Sequence, residues 1–167
     1  MAGRLARVAL ISSAILVLPW AGCSLASRSY QRNLLPEKLQ TGWFYAEGSC
    51  NSFLGYVGAF AFSLSDKTVD ALKNEGLAFF HGDDDPAKMI TPTYFHGEWK
   101  ETPPVQPSFF ADGPGAFIHC GQAHSWLWPK GIIDALRKPG SFYKQQGGRG
   151  IYVIPELSLV VGVGYDR

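Results

Sequence analysis

The sequence predicts an α+β fold, a single small domain built mainly of antiparallel sheet with two short helices. Short alternating apolar runs separated by glycine or proline recur along the chain and predict strands joined by turns. Two other segments place apolar residues three and four positions apart, which indicates helices. Aromatic residues make up 14% of the chain and charged residues 17%. That composition is typical of a folded, sheet-rich domain and not of a disordered chain.

The first elements follow in order from aromatic and alternating patterns. Residues 43–45 are aromatic and predict a first strand. Residues 56–64 predict a second strand, because Phe60, Phe62 and Leu64 alternate with smaller residues.

A helix over residues 66–75 follows the second predicted strand. Ser65 precedes it as an N-cap, and Val69 and Leu72 share one face. Gly76 supplies the C-terminal stop.

The second half of the chain predicts a loop, strands and a second helix. Residues 102–108 must be loop, because three prolines in five positions prevent regular pairing. Pro129 opens the second helix, whose apolar stripe is Ile132, Ile133 and Leu136, and Pro139-Gly140 ends it. The remaining segments are predicted as strands, the last two forming a hairpin around Pro155-Glu156: 93–100, 116–120, 151–154 and 157–163.

The N-terminal residues have the pattern of an export signal. Arg4 and Arg7 precede an apolar run over residues 8–18, and Pro19 follows. The run is about half of the roughly 20 residues that a helix needs to span a bilayer. A basic start, a short apolar run and small residues after it are typical of secretory signals.

Trp20-Ala21-Gly22-Cys23 resembles the lipobox of bacterial lipoproteins, in which a cysteine after two small residues is lipidated and becomes the new N-terminus. The resemblance implies lipid, including palmitate, on Cys23 and a membrane-anchored protein of the cell envelope. An uncharged residue after the cysteine, here Ser24, implies the outer membrane in preference to the inner. Ser24-Leu25-Ala26 offers a competing cleavage site, which would give a soluble secreted or periplasmic protein.

The cysteine count favours the lipid anchor. The chain has three cysteines, an odd number that leaves one thiol over in an oxidising compartment. If Cys23 carries lipid, Cys50 and Cys120 remain and can pair. Their bridge would close a loop of about 70 residues, for which the chain-entropy model allows roughly 4 kcal/mol.

These features divide the chain into a signal peptide (1–22), a lipid anchor and tether (23–42) and an α+β domain (43–167). After Cys23, 13 basic residues stand against 14 acidic ones. This balance argues against nucleic acid or an anionic membrane surface as the main partner, because both need a basic excess. The expected partners are the membrane, through the anchor, and an envelope protein or a cell-wall polymer.

His119-Cys120 and His124 are the most suggestive metal-binding cluster, and Cys50 could complete a zinc site. The disulfide uses the same two cysteines and suits an exported protein better. Asp83-Asp84-Asp85 lacks the ligand spacing of a calcium loop and is interpreted as a solvated turn. We therefore predict no metal and no cofactor.

No nucleophilic motif stands out. Ser141, His119 and Asp112, or Cys50 and His96, can be combined into catalytic sets, but none lies in a recognisable elbow. We assign no catalytic residues, and a small secreted enzyme such as a zinc hydrolase remains the alternative.

Trp126 and Trp128, beside Pro129, are the candidate binding aromatics. Exposed aromatic rings can stack on sugars or anchor a protein interface, although such rings also form the cores of small sheets. The sequence thus predicts a binding or structural role, with a wall-binding module as a further alternative.

Overall fold

Six antiparallel strands form one sheet in the computed structural model, which describes residues 24–52, 55–82, 95, 97–105, 114–146 and 148–166. The predicted signal peptide and Cys23 lie outside the described residues. The strands described are β1 (Thr41–Ser52), β2 (Gly55–Leu64), β3 (Lys100–Glu101), β4 (Phe142–Gln146), β5 (Arg149–Ile154) and β6 (Leu159–Asp166). Their spatial order is β1-β2-β6-β5-β4-β3.

Helices cover both faces of this sheet. Residues 24–33 are helical (α1) and belong to the first of two units, which ends at Asn33, whereas the second unit comprises Leu34–Arg167. Within that unit the helices are α2 (Asp66–Glu75), α3 (Pro114–His124) and α4 (Ile132–Leu136), with 3-10 turns at Gly76–Phe80 and Pro155–Leu157. The predicted α+β class is confirmed.

The sheet divides the core into two apolar clusters. On one face, Phe62 and Val160 pack with Val69 and Leu72 of α2. On the other face, residues of β2, β5 and β6 pack with α3, α4 and Trp128. Because both faces are buried, β5 and β6 are nearly continuous apolar runs instead of alternating ones. The predicted hairpin that joins them is confirmed, with the turn at Pro155–Leu157.

The predicted helix over 66–75 is confirmed residue for residue as α2. The Ser65 side chain accepts a hydrogen bond from the amide of Thr68 at 3.3 Å, which satisfies one of the exposed N–H groups of the first turn. Gly76 follows the helix at φ 58°, a backbone conformation that favours glycine.

The predicted strand over 116–120 is wrong, because these residues belong to helix α3. The residues of α3 that are buried at three-residue spacing are Gly115, Ile118 and Gly121. Two of the three are glycines, so the buried face of the helix has a weak apolar periodicity in the sequence. The short apolar run was therefore indistinguishable from a strand.

Two further observations concern where the packed domain and the second helix begin. Leu35 and Leu39 are buried in the core, so the domain packs residues from the predicted tether. The helix predicted from Pro129 begins only at Ile132, because Gly131 takes a left-handed conformation at φ 80°. Residues 129–131 are therefore not helical.

Strand β4 was not predicted, and most of the described residues of the strand predicted over 93–100 are not in a strand. Of the residues of that segment that the structure describes, 95 and 97–99 are outside any strand, and Lys100 alone pairs, in the short β3. The β4 sequence is polar after Phe142 and Tyr143, yet its Lys144 is 3% exposed. Pairing with β5 therefore outweighs the weak apolar pattern of this segment.

Candidate functional surface

A disulfide joins Cys50 of β1 to Cys120 of α3, as the sequence predicted. The two α-carbons are 5.9 Å apart, within the usual range for a bridged pair. Cys50 faces the same side of the sheet as Ala46, which packs in the cluster beneath α3. The bond therefore attaches a helix to a strand at the edge of the sheet, across 70 residues of chain.

Close to this disulfide in the chain, Gly48 and Gly121 are in backbone contact, and Gly121 also lies against the ring of Trp128. A β-carbon on Gly48 would lie 2.6 Å from the α-carbon of Gly121, so the backbones of β1 and α3 are in direct contact. A β-carbon on Gly121 would in turn lie 2.7 Å from the ring of Trp128. Glycine at both positions permits the close approach of strand, helix and indole.

The two candidate binding aromatics occupy different environments. Trp128 is 6% exposed and belongs to the core cluster beneath α3 and α4. Its indole Nε1 is buried without a hydrogen-bond partner among the described residues. Trp126 is 93% exposed in the turn after α3. The pair thus forms no shared exposed face, and of the two only Trp126 is available to a partner.

A second exposed tryptophan lies on β1, where the sequence indicated only a strand aromatic. Between Thr41 and Tyr45 the register with β2 shifts, so β1 contains a bulge. Trp43 is 84% exposed in this bulge, and its ring packs edge-on against Phe44 with centroids 6.1 Å apart. In a regular strand these neighbours would point to opposite faces, whereas a bulge re-aims its side chains.

Ser63 of β2 stabilises the bulge. Its hydroxyl accepts a hydrogen bond from the amide of Phe44 at 3.3 Å. Gly42 lies against the same hydroxyl, where a β-carbon would come within 2.5 Å. The absence of a side chain at Gly42 and the hydrogen bond to the Ser63 hydroxyl therefore both favour the bulged backbone that carries Trp43 and Phe44.

An apolar groove with a cavity volume of about 390 Å³ lies beside the bulge. Its floor and sides come from the first half of β1, the end of β2, the 3-10 turn at Pro155–Leu157 with the start of β6, and the segment between α3 and α4. The lining residues are Phe44, Ser63, Leu127, Pro129, Lys130, Leu157, Ser158 and Leu159. Trp43 packs edge-on against the lining residue Phe44, and Trp126 directly precedes the lining residue Leu127, so each exposed tryptophan is the chain neighbour of a groove residue.

The candidate zinc ligands do not form a metal site among the described residues. Cys50 and Cys120 are joined to each other and offer no thiolate. His119 is exposed on α3, and no group of three or more potential ligands occurs in the part of the chain that the structure describes. His124 is the last residue of α3, and Asp83-Asp84-Asp85 lie outside the described residues.

The candidate catalytic sets are likewise not brought together by the described residues. Ser141 is buried, and its backbone exchanges hydrogen bonds with the hydroxyl of Thr102. His119 is exposed on α3, and Asp112 and His96 lie outside the described residues. Ser141 thus has a structural role at the start of β4.

A pair of tyrosines crosses β4 and β5 on the face beneath α4. Tyr143 and Tyr152 are register partners with stacked rings 6.4 Å apart. The Tyr152 hydroxyl donates to Gln145 Oε1 at 3.4 Å. Burial raises the pKa of Tyr152 well above its usual range, and neighbouring Tyr143 raises it further. Partial burial also raises the pKa of Tyr143.

In the described residues, no helix has both the length and the apolar character required to cross a bilayer. The chain matches no known family model, no curated protein sequence and no solved structure at a significant level.

Proposed function

We propose that this chain is an exported lipoprotein of the bacterial cell envelope, anchored by lipid on Cys23 and carrying one α+β domain with a binding role. The observation that carries the proposal is the disulfide between Cys50 and Cys120. It accounts for two of the three cysteines and leaves Cys23, the one inside the lipobox-like segment.

Compartment chemistry supports the same conclusion. Disulfides persist in oxidising compartments outside the cytoplasm, and the basic, apolar and small residues before Cys23 match an export signal. A retained free thiol at Cys23 would be exposed to oxidation there, whereas lipidation removes it. Stable anchoring takes more than one acyl chain, so the proposal includes full lipoprotein processing with diacylglycerol and an amide-linked acyl group.

The binding role is supported by the exposed aromatic surface. Trp43 and Trp126 are the most exposed tryptophans of the described residues, and each is the chain neighbour of a residue that lines an apolar groove. Large exposed aromatics beside a groove are typical of interaction sites. An envelope protein, a cell-wall polymer or the membrane itself are the partners that the proposed location offers.

The test is the intact mass of the membrane-extracted protein before and after reduction. We expect the mass of residues 23–167 plus diacylglycerol and acyl groups, with a gain of two hydrogen atoms on reduction. The Cys23→Ser variant is the control and should lose the lipid mass and, with it, stable membrane anchoring. A bare chain that begins at Ser27 would overturn the anchor and favour plain secretion.

A further inference from the structure

The exposed aromatic surface has a distinctive chemistry. It comprises the apolar groove, the half-exposed Leu127 that lines it, and the exposed Trp43 and Trp126, each the chain neighbour of a lining residue, and we call it the tryptophan surface. Among the described residues that line the groove, Lys130 is the one charged side chain. The surface thus combines indoles, aliphatic side chains and a cation, and its described lining contains no carboxylate.

This combination fits a lipid surface better than a sugar. A sugar site needs polar groups placed for the ring hydroxyls, commonly carboxylates or amides. The polar side chains that line this groove, besides Lys130, are Ser63 and Ser158, and the Ser63 hydroxyl already accepts from the amide of Phe44. Indoles, in contrast, settle at the headgroup level of a bilayer, and lysine extends its amine toward lipid phosphates.

The length of chain before the domain keeps the domain near the membrane. Leu35 and Leu39 are buried in the core, so the residues available as a spacer after Cys23 are 24–33. These residues are helical. At about 1.5 Å per residue, such a helix spans only about 15 Å. A lipid on Cys23 would therefore hold the domain within about half a bilayer thickness of the headgroups.

We propose that the tryptophan surface contacts the bilayer in which Cys23 is anchored, inserting the rings of Trp43 and Trp126 into the headgroup region. This inference rests on the lipid anchor proposed above. Contact would fix the orientation of the domain on the membrane, whereas the anchor alone fixes only its distance.

Quenching of tryptophan emission by brominated lipid tests the proposal. The extracted protein is reconstituted into phosphatidylcholine–phosphatidylglycerol vesicles, with and without bromine on the upper acyl carbons. Four of the five tryptophans follow Cys23, and two of these four are exposed. We expect bromine to quench about half of the emission, because interfacial indoles lie within reach of the upper acyl chain.

Matched variants identify the quenched rings. Trp43→Phe and Trp126→Phe should each lose about half of the quenched component, and the double variant nearly all of it. Trp99→Phe is the control, because Trp99 is stacked on Phe80 with ring centroids 3.8 Å apart and should not be quenched. Loss of the Trp99 ring should leave the quenched component of the emission unchanged.

The outcomes separate this inference from the anchor. Lipidated protein without quenching overturns the membrane contact and leaves the anchor intact. If the intact mass shows no lipid, the unlipidated chain is mixed with the same vesicles, where quenching upholds the contact and its absence overturns it. A shift in the wavelength of tryptophan emission that depends on protein concentration assigns the surface to a second copy of the chain. A shift that depends on added peptidoglycan assigns it to a wall polymer. Either result, in place of quenching by lipid, overturns the proposal.

Discussion

Gly48 of β1 and Gly121 of α3 are in backbone contact, since a β-carbon on Gly48 would lie 2.6 Å from the Gly121 α-carbon. Gly48 lies two residues before Cys50, and Gly121 lies one residue after Cys120. The backbone contact between the glycines therefore sets the distance that the disulfide spans. The backbone contact, the disulfide and the ring of Trp128 therefore form one joint between helix and sheet.

Gly48→Ala is expected to destabilise the domain, because the new methyl group meets backbone that cannot move without shifting α3. Overpacking of this kind costs about 1–3 kcal/mol. The measurement is the free energy of unfolding in denaturant with the disulfide intact. Gly164→Ala in β6 is the matched control, since its β-carbon meets only the flexible Arg149 side chain at 3.5 Å. Equal losses in the two variants would contradict the close contact.

Reduction of the disulfide is expected to lower stability by up to about 4 kcal/mol, because it releases a loop of 70 residues in the unfolded chain. Denaturant unfolding with and without reductant measures the difference. The double variant Cys50→Ala and Cys120→Ala should match the reduced protein and be insensitive to reductant. A reductant effect that survives in the double variant would show that another group is responsible.

Truncation of Trp128 is expected to lower the stability of the domain, whereas truncation of Trp126 is expected to leave it nearly unchanged. Trp128→Ala removes a buried ring that covers Gly121 and should cost about 3–5 kcal/mol of unfolding free energy. Trp126→Ala removes a ring that is 93% exposed and should leave the stability within about 0.5 kcal/mol. Each variant is the control for the other, and similar losses would refute the separation of the two rings.

The N-cap of α2 is expected to contribute measurably to stability. Ser65→Ala removes the acceptor for the amide of Thr68 and should cost about 1 kcal/mol. Ser65→Asp retains an acceptor at the same position and should restore most of the loss. Thermal or denaturant unfolding measures both variants. An aspartate as destabilising as alanine would show that the hydroxyl acts through another contact, such as its hydrogen bond with the Thr68 side chain.

The elements that the sequence predicted correctly have signals within their own residues. Helix α2 has its cap at Ser65, its stop at Gly76 and a two-residue apolar stripe between them. The hairpin of β5 and β6 combines β-branched runs with a proline turn. The disulfide was predicted from the number of cysteines and from the export that the N-terminal pattern indicates, and neither argument needs geometry. Local chemistry and counting were sufficient in these cases.

The features that the sequence did not predict depend on contacts between distant residues. Helix α3 buries glycines because β1 approaches it, and that approach is invisible in the helix sequence alone. The exposure of Trp43 depends on a bulge stabilised by Ser63, which is 20 residues away in the chain. Likewise, Trp128 is buried and Trp126 exposed because of how the turn after α3 folds back on Gly121.

Alkaline pH is expected to unfold the domain through Tyr152. Its pKa is raised in the folded state above the ordinary value of 10.0, so the folded protein keeps the phenol proton more tightly than the unfolded chain does. The stability due to this difference is fully present below about pH 10 and is lost as the pH rises toward the folded pKa.

Tyr152→Phe separates this effect from other alkaline changes. In the wild-type protein, each tyrosine that titrates only on unfolding steepens the fall of stability by up to about 1.4 kcal/mol per pH unit. Tyr152→Phe should make the fall above pH 10 shallower, measured as the urea midpoint at closely spaced pH values. Tyr143→Phe is the comparison, and it should change the fall less because Tyr143 is only partly buried. Parallel curves for wild type and Tyr152→Phe would mean that the buried phenol does not control alkaline unfolding.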